Sequence, residues 1–270
     1  MANLGSVNTL RIKRPLASDS KYSRGVAGFF TGSETYPGAA LLSVGGALSV
    51  GIGMVRFLGS RNVGEQVLQR YPEIVLHKGT VDCLAVGSGQ DQALSGEEAA
   101  LLESAPSAVI DAFSLKTVDF AKTPELSILT PHLGEFRNLQ ARLGLTASAA
   151  TDSASLELAV IELARLINRF VLLKGSNTIL SSPNGEVVRT GPNSPWLATA
   201  GTGDVLTGVL CALMASNLRA IEASPRHLLD VAELAILVHS KAAELAAGVG
   251  PVSAHSLLEH LGAAALEFLE

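Results

Sequence analysis

The sequence predicts an α/β protein with a largely parallel central sheet and helices on both of its faces. Short apolar runs alternate with longer amphipathic segments from residue 26 to about residue 175, as in strands joined by right-handed helical crossovers. A strand–turn–strand pattern with a Pro-Asn-Gly turn follows at 177–191 and indicates an antiparallel hairpin. The rest of the chain is expected to be mostly helical, at about 203–216, 226–247 and 253–269.

Each predicted strand is a short apolar run that ends at a glycine, an acidic residue or a proline. Such runs are typical of strands that are buried on both faces of a sheet. The strands before the hairpin are expected at 26–32, 53–59, 81–89, 107–112, from 126 to the break at Pro131, and at 169–175.

The helices that alternate with these strands are predicted from periodicity and end signals. Ser95 followed by Glu97 and Glu98 is a helix N-cap signature. The glycines and alanines of the segment 36–51 favour a helix packed closely against a neighbour. The helices in this part of the chain are expected at 36–51, 62–72, 95–105, 134–144 and 154–168.

Composition favours a packed globular protein over several other classes of protein. Hydrophobic residues make up 47% of the 270 residues and charged residues 17%, which is ample for a core and argues against disorder. The net charge is −5 and no basic run occurs, so a nucleic-acid partner is not expected. The apolar stretches are interrupted by Gly, Ser or Thr, so no membrane span is expected.

The ends of the chain and its cysteines indicate one domain in a reducing compartment. Residues 1–24 are polar and predict a flexible N-terminal segment, followed by a single catalytic domain over 25–270. Cys83 and Cys211 lie in apolar contexts that favour buried free thiols. No apolar signal segment opens the sequence, so we expect a cytoplasmic protein.

The segment AGTGD (200–204), which comes directly before an apolar helical run, is the strongest chemical signal. Glycines allow close approach of the backbone to a ligand, and free N–H groups at a helix start attract an anion such as phosphate. Gly201, Thr202 and Gly203 are therefore candidates for an anion hole. Asp204 could act as a general base toward an attacking hydroxyl, or it could simply interact with the positive end of the helix dipole.

Several other predicted strands end in residues that could bind a ligand at the same edge of the sheet. Lys174-Gly175-Ser176-Asn177-Thr178 could hold a nucleotide, or could be an ordinary strand turn with a surface lysine. His132 could donate a hydrogen bond to a substrate, or could be a loop residue; Glu135 could begin a helix or hold Mg²⁺ through water. The segment 29–40, which contains Ala39, could admit a bulky flat ligand or could serve close helix packing, and VGSG (86–89), which contains Gly89, is a further strand end.

These segments, in this order, resemble the ADP-dependent NAD(P)H-hydrate dehydratases, a branch of the ribokinase-like superfamily. The resemblance covers nearly the whole chain from about Lys21. The matching pieces are GSETYPGAALL (32–42), VGSG (86–89), VIDAFSL (109–115), LTPHLGEF (129–136), LLKGSNTIL (172–180) and ATAGTGDVLTG (198–208).

The resemblance implies a three-layer ribokinase-like fold and a repair reaction. ADP phosphorylates the hydroxyl of (6S)-NADHX or NADPHX, and elimination of phosphate leaves NADH or NADPH with AMP. Asp204 would activate that hydroxyl, and the Gly201–Gly203 amides would stabilise the transferring group. The resemblance further assigns the dinucleotide to Ala39, Gly89 and His132, and the adenine nucleotide to Lys174, Gly175, Ser176, Asn177, Thr178 and Gly203.

The same resemblance implies Mg²⁺ that bridges phosphate oxygens, with no dedicated protein cage for a metal, and a homo-oligomer, expected to be a tetramer. Two turns depart from the family pattern. The usual GPGLG is GSGQ at 87–90, and the usual DADAL is DAFSL at 111–115, where Phe113 replaces an acidic residue. Both departures lie on the substrate side of the expected site.

Two other functions fit part of the sequence. A ribokinase-like, ATP-dependent kinase of a small alcohol, such as a vitamin precursor, would share Asp204 and the glycine turn but would keep its product phosphorylated. A non-catalytic nucleotide-binding module would fit the altered turns, although the carboxylate beside a phosphate site argues against it.

Overall fold

A computed structural model describes residues 10–145 and 152–270 and has the predicted α/β architecture. Within those residues one eight-stranded sheet has the order β2-β1-β3-β4-β5-β6-β7-β8. The strands β1 to β6 are parallel, whereas β7 and β8 form the predicted antiparallel hairpin. The strands are β1 Val26–Phe30, β2 Met54–Phe57, β3 Cys83–Val86, β4 Ser107–Ile110, β5 Leu126–Leu129, β6 Phe170–Leu173, β7 Thr178–Ser181 and β8 Val187–Thr190.

Ten α-helices lie in the described ranges, and each predicted helix has a counterpart among them. The short helices α4 and α8 were not predicted. The helices are α1 Pro37–Ser49, α2 Arg61–Arg70, α3 Gly96–Ser104, α4 Ser114–Thr117, α5 Leu133–Arg142, α6 Ser153–Ile167, α7 Thr202–Ser216, α8 Leu218–Ala223, α9 His227–Ala247 and α10 Ala254–Leu266.

The sheet is buried on both faces, which gives three layers. Alternate strand residues point to opposite faces, so that Phe29 belongs to one apolar cluster and the adjacent Phe30 to the other. The first cluster includes side chains of α1, α7, α9 and α10, and the second includes side chains of α3, α5 and α6. This burial explains why the strands are nearly continuous apolar runs.

The helices α1 and α7 touch along their backbones, as the small residues of the segment 36–51 predicted. A Cβ atom built on Gly208 of α7 would lie 1.9 Å from the carbonyl oxygen of Ser43 in α1. The Ser43 hydroxyl also shares a hydrogen bond of 2.8 Å with the hydroxyl of Thr31, which follows β1. The helix that begins at the AGTGD segment is therefore fixed against α1 and the end of β1.

The expected flexible segment stays a prediction, and its residues 1–9 lie outside the described residues. Ile12 of this segment is buried and pairs with Leu269. Cys83 and Cys211 are buried free thiols, as predicted. In the described part of the chain, no helix has the length and apolar character needed to cross a membrane.

Candidate active site

The predicted ligand-binding residues lie at the carboxyl ends of the parallel strands. After β1 the chain places β2 on one side of β1 and then places β3 on the other side. The order in which strands are added therefore reverses between β1 and β3. Such a switch point opens a crevice for ligands. Here the loop after β1 is joined to the loop after β3, because the Gly32 N–H donates to the Ser88 carbonyl at 2.7 Å.

Two residues expected to contact the dinucleotide, Ala39 and Gly89, meet at this switch point. A Cβ atom built on Gly89 would lie 2.3 Å from the Cβ of Ala39, so any larger side chain at Gly89 would fill the space between the two loops. Ala39 is buried in the first turn of α1, and Gly89 is partly exposed in the loop after β3. The two small residues thus let the start of α1 and the loop after β3 pack closely together.

The AGTGD segment forms a tight turn into α7. Gly201 precedes the helix with φ of 89°, in the left-handed region, and a Cβ atom there would lie 2.7 Å from Leu42 Cδ1. The Thr202 N–H donates to the Thr199 carbonyl at 3.3 Å, whereas the Gly203 N–H has no acceptor among the described residues. The turn therefore presents a free amide and the positive end of the helix dipole to the crevice.

A buried ion pair lies beside this turn. Lys174 Nζ is 2.7 Å from Asp111 Oδ1, and the side chains of Lys174 and Asp111 are 20% and 3% exposed. Three hydroxyl groups also donate to the Asp111 carboxylate. These are Ser88 Oγ at 2.8 Å, Thr130 Oγ1 at 2.8 Å and Thr207 Oγ1 at 3.3 Å. Asp111 thus joins the ends of four parallel strands to α7.

The hydrogen bonds and opposite charges keep both members of the pair ionised. Burial alone would raise the pKa of Asp111, but the Lys174 charge and the donated hydrogen bonds outweigh it and hold that pKa below its usual value. Burial alone would lower the pKa of Lys174, but the neighbouring Asp111 raises it above its usual value. Lys174 is therefore a fixed cation, and a Cβ atom on Gly203 would lie 3.5 Å from its Nζ.

Asp204 lies in the first turn of α7 and is half-buried. Burial raises its pKa, and the negative charge of Asp111 raises it further. Lys174 acts in the opposite direction, and the net pKa is about 6. A carboxylate with this pKa is ionised at neutral pH yet is basic enough to accept a proton, which suits general-base catalysis.

The predicted nucleotide-binding residues form the connection between β6 and β7. Gly175, Ser176 and Asn177 are exposed, and Thr178 is buried at the start of β7. Asn193 fixes this turn, because its Nδ2 donates to the Gly175 carbonyl and to Thr178 Oγ1, each at 2.9 Å. The exposed backbone of the turn stays accessible to a ligand from the crevice.

His132 caps the helix α5 together with Glu135. The Gly134 and Glu135 N–H groups donate to His132 Nδ1, at 3.0 and 3.3 Å, and Glu135 Oε2 accepts from the His132 N–H at 2.9 Å. The Glu135 carboxylate thus stabilises the start of a helix, which is one of the two interpretations given for this residue above. Because Nδ1 accepts, the proton of neutral His132 is on Nε2, and the side chain is 62% exposed. It can donate to a ligand.

His239 is a functional candidate that sequence reasoning missed. It is buried on α9, and its Nε2 lies 2.9 Å from the Thr202 carbonyl. Burial lowers the pKa of His239 to about 4, so the ring is neutral near pH 7 and donates its Nε2–H to that carbonyl. The histidine therefore fixes the first residue of α7, and no local sequence pattern indicates this contact.

The ion pair was not predicted either, although Asp111 lies in the segment DAFSL (111–115) and Lys174 in the expected nucleotide turn. The altered turns contribute to the same network. Ser88, which stands where the family pattern has proline, donates to Asp111 as described above, and Ser114 Oγ donates to Gln90 Oε1 at 3.0 Å. The two departures from the family pattern thus contact each other.

Comparison with known proteins identifies the family. Residues 27–261 match the family described as NAD(P)H-hydrate dehydratase. The chain is 36% identical over 266 residues to the bifunctional NAD(P)H-hydrate repair enzyme Nnr of Mycobacterium leprae, with 92% of this chain and 52% of that protein covered. It thus spans about half the length of this relative. It is 29% identical to the ADP-dependent (S)-NAD(P)H-hydrate dehydratase of Bacillus subtilis, with 90% and 88% covered.

Solved structures agree with this assignment. The ADP/ATP-dependent NAD(P)H-hydrate dehydratase of Bacillus subtilis, co-crystallised with ATP and Mg²⁺, superposes with a TM-score of 0.81 at 25% identity, covering 97% of this chain and 96% of that one. A ribokinase of Cryptococcus neoformans superposes with a TM-score of 0.55 at 13% identity, and the match covers 83% of this chain and 86% of the ribokinase. This likeness confirms the ribokinase-like fold. The chain therefore belongs to the NAD(P)H-hydrate dehydratase family.

Proposed function

We propose that this protein catalyses the ADP-dependent dehydration of (6S)-NADHX and NADPHX to NADH and NADPH, releasing AMP and phosphate. The observation that carries the proposal is Asp204, a carboxylate of pKa about 6 in the first turn of α7. A carboxylate repels phosphate, so its position beside an anion-binding turn needs a chemical reason. Abstraction of a proton from the attacking hydroxyl supplies that reason.

The first step is transfer of a phosphoryl group to the substrate hydroxyl. Asp204 accepts the hydroxyl proton as the oxygen forms a bond to the β-phosphorus of ADP, and AMP leaves with the electrons of the broken P–O bond. The Gly203 N–H and the Lys174 ammonium face the charge that spreads over the transferring oxygens. Since both are already fixed before reaction, they need not reorganise.

The second step removes the phosphorylated oxygen from the ring. Hydroxide is a poor leaving group, whereas phosphate is a good one. The carbon–oxygen bond breaks with loss of a proton from the adjacent carbon, which restores the ring double bond of the reduced nicotinamide. The phosphoryl transfer thus makes a dehydration feasible, and the site needs kinase-like residues even though its product is not phosphorylated.

The two ligands are assigned to different parts of the crevice. We assign ADP to the turn from Lys174 to Thr178 and to Gly203, because that turn exposes its backbone next to the anion-binding turn. We assign the hydrated dinucleotide to Ala39, Gly89 and His132, which follow β1, β3 and β5. In this arrangement the two ligands approach Asp204 from opposite directions along the sheet edge.

Magnesium fits the site as a companion of the nucleotide. Among the described residues, no group of three or more His, Cys, Asp or Glu side chains could hold a metal ion, and the Asp111 carboxylate is already committed to Lys174 and hydroxyl donors. Phosphate oxygens would be its main ligands, with Glu135 able to bind it through water. When bound, it would neutralise phosphate charge.

Other aspects of the protein stay predictions. These are the single catalytic domain over 25–270, the cytoplasmic location and the homo-oligomer, expected to be a tetramer.

The proposed reaction is tested by the absorbance of reduced nicotinamide. Purified protein mixed with hydrated NADH, Mg²⁺ and ADP is expected to raise this absorbance, and ATP is expected to be less effective. AMP and phosphate should appear in amounts equal to the NADH formed. No rise with either nucleotide, from protein that binds both, would contradict the repair function and favour a kinase of a small alcohol or a binding module.

The base is tested by Asp204→Asn. The variant is expected to lose turnover by a factor on the order of 10²–10⁴, the usual contribution of a general base, while ADP affinity by calorimetry stays close to that of the wild type. Retention of more than about a tenth of wild-type activity would show that Asp204 is not the base.

The charges around Asp204 can be tested without turnover by carboxyl-carbon NMR titration. Asp111→Asn removes a negative neighbour and is expected to lower the pKa of Asp204, whereas Lys174→Met removes a positive one and is expected to raise it. Glu103→Gln, which changes an exposed residue of α3, is the control and should leave the titration unchanged. Shifts of the same sign in the first two variants would contradict this electrostatic account.

The role of His132 is tested by two replacements that separate substrate contact from helix capping. His132→Ala removes both, whereas His132→Asn keeps an acceptor that can cap α5. Both variants are expected to raise the KM for hydrated NADH about tenfold, as loss of one hydrogen bond can do, with ADP affinity little changed. If His132→Asn restores the wild-type KM, the histidine has only a structural role.

A further inference from the structure

We propose that Trp196 is a stacking platform for the adenine base of ADP. The inference deepens the proposed function and rests on it for the placement of ADP. Trp196 is the sole tryptophan of the chain and lies in a single 3₁₀ turn, Pro195–Leu197. None of the motifs that indicated the site includes it.

The exposure of Trp196 requires an explanation. The residue is 44% exposed, although tryptophan is a large apolar side chain that proteins usually bury for the most part. The 3₁₀ turn packs against α9, and the Ser194 N–H donates to Ser240 Oγ of that helix at 3.2 Å. The tryptophan therefore stands on a fixed support and still offers part of its ring to a ligand.

The segment that carries Trp196 is attached to the proposed nucleotide turn. Asn193, three residues earlier, bonds through its side chain to Gly175 and Thr178, and its N–H donates to the Ser176 carbonyl at 2.7 Å. These three contacts hold the start of the segment directly over the turn between β6 and β7. The segment that carries Trp196 therefore starts at the turn that we assign to ADP.

The same segment is attached to the anion-binding turn at its other end. Thr202 Oγ1 donates to the Leu197 carbonyl at 2.8 Å, and Thr199 Oγ1 donates to the Trp196 carbonyl at 2.9 Å. A nucleotide with its terminal phosphate at Gly203 and its sugar on the turn after β6 would direct its base toward Trp196. Aromatic side chains bind such bases through their flat faces.

The position along the sheet favours ADP over the dinucleotide as the partner. The segment of Trp196 is attached through Asn193 to the turn after β6, whereas Ala39 and Gly89 follow β1 and β3, with β4 and β5 lying between β3 and β6. The adenine of ADP is therefore the base within reach of the ring, and the adenine of the hydrated dinucleotide belongs to the far side of the crevice.

The emission of the sole tryptophan reports on this contact directly. Addition of ADP to the full chain is expected to quench the emission of Trp196, whereas inorganic pyrophosphate, which has no base, should bind the anion turn without quenching. If calorimetry shows that ADP binds while the emission stays unchanged, the stacking role is overturned. If calorimetry shows no binding of ADP to the wild type, the nucleotide assignment of the proposed function is overturned as well.

Substitution gives a second and independent readout. Trp196→Ala is expected to weaken ADP binding by about tenfold or more, within the range that base–aromatic stacking contributes on alanine substitution, and Trp196→Phe should recover much of the loss. Pyrophosphate affinity should stay unchanged in both variants, which also shows that they are folded. Tyr22→Ala removes another exposed aromatic residue, at the opposite end of the sheet, and should leave ADP binding unchanged.

Two results of these titrations would contradict the proposal while leaving the dehydratase function intact. One is an ADP affinity for Trp196→Ala equal to that of the wild type. The other is a loss of affinity for NADH, the product of the proposed reaction, with no loss for ADP, because that result would assign Trp196 to the dinucleotide.

Discussion

The buried ion pair between Asp111 and Lys174 is the interaction on which the rest of the site depends. Two charges in a protein interior are stable only when each is paired and its remaining hydrogen-bonding capacity is met. Here Lys174 and three hydroxyl groups from separate elements meet that requirement for Asp111. The pair connects the ends of the parallel strands to α7 and fixes a positive charge beside the anion-binding turn.

The same pair adjusts the chemistry of Asp204. Burial raises the pKa of this carboxylate, Asp111 raises it further, and Lys174 lowers it. A lone aspartate in water would be a weaker base, and an isolated buried one would be protonated near neutral pH. His239 complements this arrangement from α9, because its neutral ring holds the carbonyl of Thr202 at the helix start.

The fold and the centre of the site could be predicted from the sequence because their signals are local. The apolar runs, the hairpin turn and the glycines before Asp204 each act within a few residues of chain, and the family resemblance added the order of the motifs. The partner of Lys174 could not be predicted in this way, since Asp111 is 63 residues away. Hydroxyl donors such as Thr207 have no distinctive pattern, and the exposure of Trp196 becomes meaningful only once Asn193 is seen to hold its segment against the nucleotide turn.

The central claim is that Asp204 is a general base whose pKa is set by its surroundings, and the pH dependence of kcat/KM tests it most directly. This parameter reports ionisation of the free enzyme. With hydrated NADH as the varied substrate, we expect kcat/KM to fall at acid pH with a midpoint at about pH 6, because Asp204 is protonated there. A profile that stays flat through pH 6 and falls only near the usual aspartate value of about 4 would contradict the account.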